Sequence, residues 1–187
     1  MHENEAITLA RDCDAILIPT GTPITLQQGS IVFITQALGG AYTININGNL
    51  ARIAEQDADV LGIADPVLDA SPDRNEVGIS GDGTVDEDLI WERMKSCFDP
   101  EIPINIVELG LIYDCKITPL DNGGNRVDIV MTLTAPGCGM GQFIADDVRY
   151  KIESVPNVTD VNVALTFEPP WDQSMMSESA RLATGMY

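Results

Sequence analysis

One stretch of the 187-residue chain puts a nucleophile among small residues at a change of periodicity: Thr132-Leu133-Thr134-Ala135-Pro136-Gly137-Cys138-Gly139-Met140-Gly141. The alternation before it predicts a strand and the apolar spacing after it predicts a helix, so the Cys138 thiol falls at a strand-to-helix turn. Unpaired amides at a helix start carry about half a positive charge, which favours thiolate over thiol and lowers a cysteine below its usual pKa of about 8.5. Gly137, Gly139 and Gly141 bring no side chains, so a partner atom can approach the sulfur closely. In that setting Cys138 can serve as nucleophile or metal ligand. The same pattern fits a tight connection in which the cysteine is only a small buried filler, and the residues alone leave both readings open.

The other candidate donors read more plainly. Asp99 and Glu101, in the proline-stiffened Asp99-Pro100-Glu101-Ile102-Pro103, either line a site near Cys138 or cap and solvate a turn. Cys115 alternates with Tyr113 and Ile117 and belongs to a core face, Cys97 ends a predicted helix and packs beneath it, and Cys13, among Arg11, Asp12 and Asp14, reads as a partly exposed spectator. No two of the cysteines at 13, 97, 115 and 138 form a CxxC pair, and a reducing compartment makes them four thiols. Met175-Met176 near Trp171 reads as packing rather than a soft metal site. The single histidine is His2, at the start of the chain, so histidine triads, His-ligated zinc and phosphohistidine chemistry lack their residue. No Walker loop, G-x-G-x-x-G or G-x-S-x-G supports nucleotide or acyl-transfer chemistry, and no general base for Cys138 is visible. The expectation is a protein that is not an enzyme.

Charge narrows the partners. Asp+Glu number 29 against 10 Lys+Arg, a net charge of −19 with 44% hydrophobic residues, which is a globular composition that repels phosphate backbones and anionic lipid headgroups. Neither nucleic acid nor a membrane is an expected partner. No apolar run approaches the ~20 residues of a membrane span, and the acidic start from Met1 to Asp14 has no signal-like core, so the expected compartment is the cytoplasm.

The elements that must position these residues fall into two parts. Residues 1–64 carry short β-rich runs, Ala15 to Ile18, Ile31 to Thr35, Tyr42 to Ile46 and Leu50 to Ile53, with a hairpin at Asn47-Gly48, and predict a small antiparallel β module. Residues 65–83, with Asp65-Pro66, Ser71-Pro72-Asp73 and Ser80-Gly81-Asp82-Gly83, read as a linker. Thr84-Val85-Asp86-Glu87 reads as a capping box opening a helix to about Cys97, and its acidic cluster suits the positive end of the helix dipole better than a metal. An extended run from Leu109 to Thr118, a turn at Asp121-Asn122-Gly123-Gly124 and a strand from Arg126 to Thr134 form a hairpin. A helix with Ile144, Val148, Ile152 and Val155 on one face and a strand with Val161, Val163, Leu165 and Phe167 follow. This α-β-β-α-β order over 84–168, with a right-handed crossover making the last strand parallel, predicts a two-layer α+β domain whose helices share one face. Residues 169–187 are a tail with a short helix near Ser177 to Leu182, docked by Trp171 and the two methionines.

Asp99-Pro100-Glu101-Ile102-Pro103, Glu108-Leu109-Gly110-Leu111-Ile112-Tyr113, Thr132 to Cys138, and Pro169-Pro170-Trp171 followed by Met175-Met176-Ser177 resemble, in that order, the motifs of the PaaD-like metal-sulfur cluster assembly domain family. Ile18-Pro19-Thr20-Gly21, Thr35 to Gly40 and Asn47 to Leu50 are similar to the extra module of its two-part members, linked to the SUF iron-sulfur system. The resemblance spans nearly the whole chain. It implies an accessory role in maturing iron-sulfur proteins, an iron-sulfur assembly domain-like fold, SUF assembly proteins and apo iron-sulfur clients as partners, and a functional cysteine that maps onto Cys138, supported by Asp99, Glu101, Thr134, Gly137, Gly139 and Gly141. Gly139-Met140-Gly141 replaces the family's frequent Pro-Met-Ala, and Asp172 stands where Ser or Thr is common, which bears on partner choice. A cluster takes about four protein ligands and one chain offers a single credible one, so an iron-sulfur cluster would be a transient cargo, shared by a homodimer or with a client. Delivery of clusters through the Cys138 thiolate is the expected mechanism, and an adaptor that scaffolds SUF machinery and clients without touching metal is the alternative.

Overall fold

In this computed structural model the described residues are 6–62, 83–135, 137 and 139–185. Of the linker predicted over 65–83, only Gly83 falls among them. Packing divides the chain into two units, Met1–Ala70 with Cys138–Phe143, and Ser71–Gly137 with Ile144–Tyr187.

Period-two alternation builds the first unit. Its strands are β1 (Ala6–Thr8), β2 (Cys13–Ile18), β3 (Thr22–Leu26), β4 (Ile31–Leu38), β5 (Ala41–Ile46) and β6 (Asn49–Ile53), followed by a 3-10 helix over Glu55–Leu61. They form one antiparallel sheet in the order β1-β4-β5-β6-β2-β3. Asn47 at φ 52° and Gly48 at φ 83° make the β5–β6 turn in the left-handed region, as the Asn-Gly pair predicts. On β4, Val32 and Ile34 are buried while Ile31 and Phe33 are exposed, and the inward set packs with Ile44, Ala51, Ile53, Val60 and Leu61. Arg11 anchors the 3-10 helix through Asp57 and Asp59, each at 2.8 Å.

Two features differ from the expectation. β1 and β3 are additional edge strands, short in one case and carrying Pro23 in the other, which weakens their strand signal. Cys13 is no partly exposed spectator: it is the first residue of β2, opposite Leu26, and lies 4% exposed on the inward face with Ala15. Its charged neighbours Asp12 and Asp14 are exposed, because alternation sends adjacent side chains to opposite faces.

The second unit carries α1 (Glu87–Lys95), β7 (Ile112–Pro119), β8 (Asn125–Met131), most of α2 (Gly141–Glu153), β9 (Val158–Leu165) and α3 (Glu178–Thr184). The sheet order is β7-β8-β9, with β7–β8 antiparallel and β8–β9 parallel. The α-β-β-α-β order and the α+β class stand. Val127, Ile129 and Met131 are fully buried, as are Ile90 and Met94 of α1 and Val148 and Ile152 of α2. The opposite sheet face is polar, with Arg126 reaching Asp128 at 3.1 Å and Asp160 at 3.4 Å. Among the described residues no helix is long and apolar enough to cross a membrane.

The element ends need correcting. The N-cap of α1 is Asp86, whose Oδ1 accepts from the Leu89 amide at 3.3 Å, rather than Thr84, whose carbonyl instead accepts from Asn157 at 2.6 Å. An aspartate two positions nearer the helix caps as well as a threonine, so the predicted capping box is superseded. α1 stops at Lys95 rather than about Cys97. β7 starts at Ile112 rather than Leu109, because the Gly110 amide turns back to the Val107 carbonyl with φ +72°. β8 ends at Met131 rather than Thr134, and β9 ends at Leu165, leaving Phe167 exposed.

Candidate functional site

Cys138 and Pro136 lie outside the described residues, so the site is built from what brackets them. β8 delivers the chain to Thr132, whose amide donates to the Leu111 carbonyl at 2.8 Å. Its side chain is fully buried, and its hydroxyl has no hydrogen-bond partner among the described residues. A buried unpaired hydroxyl costs about 1–3 kcal/mol, so Thr132 is the polar group here that packing alone does not account for. The sequence reading selected Thr134 instead, which is half-buried. Strand alternation sends Thr132 to the outer face with Val130, and the end of β8 at Met131 removes that constraint.

Beyond this point Gly137 is exposed at φ +80°, with open space where a Cβ would stand. Met140 is fully buried, and Gly141 opens α2. These positions therefore divide into an open side at Gly137 and an anchored side from Gly139 onward, where a Cβ on Gly139 would collide with the Thr20 carbonyl.

Asp99 is 5% exposed, and its Oδ1 accepts from the amides of Glu101 at 2.8 Å and Ile102 at 2.9 Å. That oxygen closes the turn through Pro100, which is the structural role of an aspartate in an Asx turn. Glu101 stands exposed on the same turn.

The remaining thiols are placed against chemistry. Cys97 is buried, its Sγ 3.6 Å from the Arg93 carbonyl. Cys115 is half-buried opposite Ile129, and its thiol is pushed up to about 11, by burial first and then by Glu87 and Asp114. Burial likewise pushes Cys13 up to about 11, with Asp57 adding to it. Among the described residues no group of three or more His, Cys, Asp or Glu side chains could hold a metal ion. Their donor set does not build a cluster site.

The Glu108 to Tyr113 segment is strapped by the tail. Trp171 Nε1 donates to the Leu109 carbonyl at 2.8 Å, Tyr113 Oη to the Pro169 carbonyl at 2.7 Å, and the Ser177 amide to the Glu108 carbonyl at 2.9 Å. The Glu108 carboxylate accepts from the hydroxyls of Ser177 and Ser179, in that order of effect, which hold it below the usual carboxylate range. Trp171 thus ties the tail to the loop before β7, and Met176 is buried.

The α-β-β-α-β order over a β7-β8-β9 sheet defines a two-layer α+β domain. The sequence model of the iron-sulfur cluster assembly protein family matches residues 87–165. An Fe-S protein maturation auxiliary factor of Porphyromonas gingivalis is 45% identical over 100 residues, 54% of this chain and 90% of its own length. The Fe-S protein maturation auxiliary factor SufT of Staphylococcus aureus is 43% identical over 88 residues, 47% of this chain and 96% of its own. An iron-sulfur cluster carrier protein of Synechocystis is 31% identical over 88 residues, covering 24% of that longer protein. The chain belongs to the iron-sulfur cluster assembly protein family.

Proposed function

We propose that this protein is an accessory factor in iron-sulfur protein maturation that helps transfer clusters to apo-proteins through the Cys138 thiolate. The observation that carries the reading is elimination among thiols: Cys13 and Cys97 are buried, Cys115 is half-buried, and two of the three are pushed up to about 11. A thiol of that kind is a poor nucleophile and a poor ligand at neutral pH. Cys138 is left, which in the sequence follows Gly137, where a Cβ would meet open space, and precedes α2.

The cluster is cargo on this reading. One thiolate from one chain is far short of about four ligands, so the remaining iron positions fall to a second copy, a small thiol or the client's own cysteines. Exchange of those ligands is what transfer consists of. Family membership and the names of the matched relatives support assembly machinery and apo-clients as partners, and the acidic surface supports a water-filled compartment such as the cytoplasm. The role needs no catalytic turnover, which agrees with the absence of a base partner for Cys138 in the sequence.

The test is replacement of the chain in cells by its Cys138→Ala form, with the activity of iron-sulfur clients as the readout. Loss of client activity with normal amounts of folded protein is expected. Undiminished maturation would remove the thiol from the mechanism and leave an adaptor that binds clients and machinery without metal.

A further inference from the structure

The first unit holds a second segment of chain whose described residues, 139–143, pack on its β sheet. At one end Gly139 meets the β2–β3 turn backbone to backbone: a Cβ on Gly139 would collide with the Thr20 carbonyl, and one on Gly21, already at φ +68°, would collide with the carbonyl of Gly139. At the other end the Phe143 ring lies under the Arg52 guanidinium, 5.4 Å from its centroid. Arg52 sits mid-sheet on β6, in register with Ile16 and Thr43, and is only 4% exposed.

A buried arginine is an expensive way to fill a sheet. Its charge is desolvated, and an apolar side chain would pack at lower cost. The chain has only 10 basic residues, so placing one there calls for a role that the cation itself performs. The contact with Phe143 is one such role, because a desolvated guanidinium over an aromatic face is held by the ring quadrupole in a way no aliphatic residue reproduces.

We propose that the N-terminal β module is a clamp on the first turn of α2, with Arg52 as its positioning residue through Phe143 and the Thr20-Gly21 turn as its second contact on Gly139. The clamp fixes the segment that follows Cys138 directly in the chain. For its functional consequence the inference rests on the reading of Cys138 given above.

The experiment uses the full chain and measures amide hydrogen exchange over residues 141–144, the iodoacetamide labelling rate of Cys138 at one fixed pH, and client maturation. Arg52→Met is expected to speed exchange at 141–144 roughly tenfold while the β7-β8-β9 sheet keeps its protection, to change the labelling rate by a similar factor, and to lower maturation. Arg52→Lys, which keeps the cation, is expected to stay within about twofold of wild type. Phe143→Leu removes the ring without touching the sheet and is expected to match Arg52→Met, so the proposal stays testable if the arginine variant fails to fold. Wild-type exchange at 141–144 in folded Phe143→Leu, or equal behaviour of the Lys and Met variants, would overturn the clamp. If exchange responds as expected while Cys138→Ala still matures clients, the clamp stands and the thiol reading alone falls.

Discussion

The Ser179 hydroxyl donates to the Glu108 carboxylate at 2.8 Å across 71 positions of the chain, and Ser177, the N-cap of α3, donates to the same oxygen. One carboxylate thereby ties the last helix to the loop before β7. Both bonds favour the anion, so the folded pKa lies below the unfolded value. Such a group contributes stability that is present above the unfolded pKa of about 4.3 and lost as pH falls through the lowered folded value. Glu108→Gln should cost about 1 kcal/mol at pH 7, discounted for its partial exposure, and the gap from wild type should close as pH drops from about 5 towards 3. Urea midpoints across that range check it, and a gap independent of pH would contradict the assignment.

Trp171→Phe keeps most of the ring and loses the indole donor to Leu109. The expected cost is about 1–2 kcal/mol, since the Leu109 carbonyl loses a partner in a buried loop residue. Equilibrium unfolding reads this directly, and a neutral substitution would mean that the tail is held without that bond.

Glycine positions with similar φ angles should separate sharply by their surroundings. Gly110, at φ +72°, has no room for a Cβ because the Met175 carbonyl occupies the space, whereas Gly29, at φ +82°, has nothing nearby. Gly29→Ala should cost about 1–2 kcal/mol from backbone strain alone. Gly110→Ala adds displacement of the tail and should exceed it by about 2 kcal/mol or more, with near-ultraviolet circular dichroism reporting altered packing of Trp171. Equal costs would show that the tail yields freely.

What the sequence made legible follows from what its signals encode. Periodicity located β4, β5, β6, β8 and α2, because each buries one face and repetition averages out local accident. It missed β1 and β3, which are edge strands held by pairing more than by an apolar stripe. Local charge misled at Cys13, where alternation outweighed the acidic neighbours. The capping residue moved from Thr84 to Asp86 because several residues in that stretch can cap, and only the path of the chain selects one. Thr132 carried no sequence signal, since its burial without a partner is a tertiary fact. The tail contacts of Glu108 join residues about seventy apart, a distance at which pattern is silent.

The thiols give the remaining prediction. Cys13 and Cys115 are both raised from 9.0 to about 11, chiefly because burial disfavours the thiolate. A group with a raised folded pKa contributes stability that is full below the unfolded pKa and lost as pH climbs through the folded one. Stability should therefore fall between about pH 9 and 11, by up to about 1.4 kcal/mol per pH unit while one thiol is ionised only in the unfolded chain. Cys13→Ala should flatten that slope while lowering stability at pH 7 through the lost packing. At pH 8, iodoacetamide with peptide mass spectrometry should label Cys138 in native protein and all four cysteines in denaturant. Labelling of Cys13 as fast as Cys138 in native protein would mean that the β2 core opens readily, and the elimination that singles out Cys138 would no longer hold.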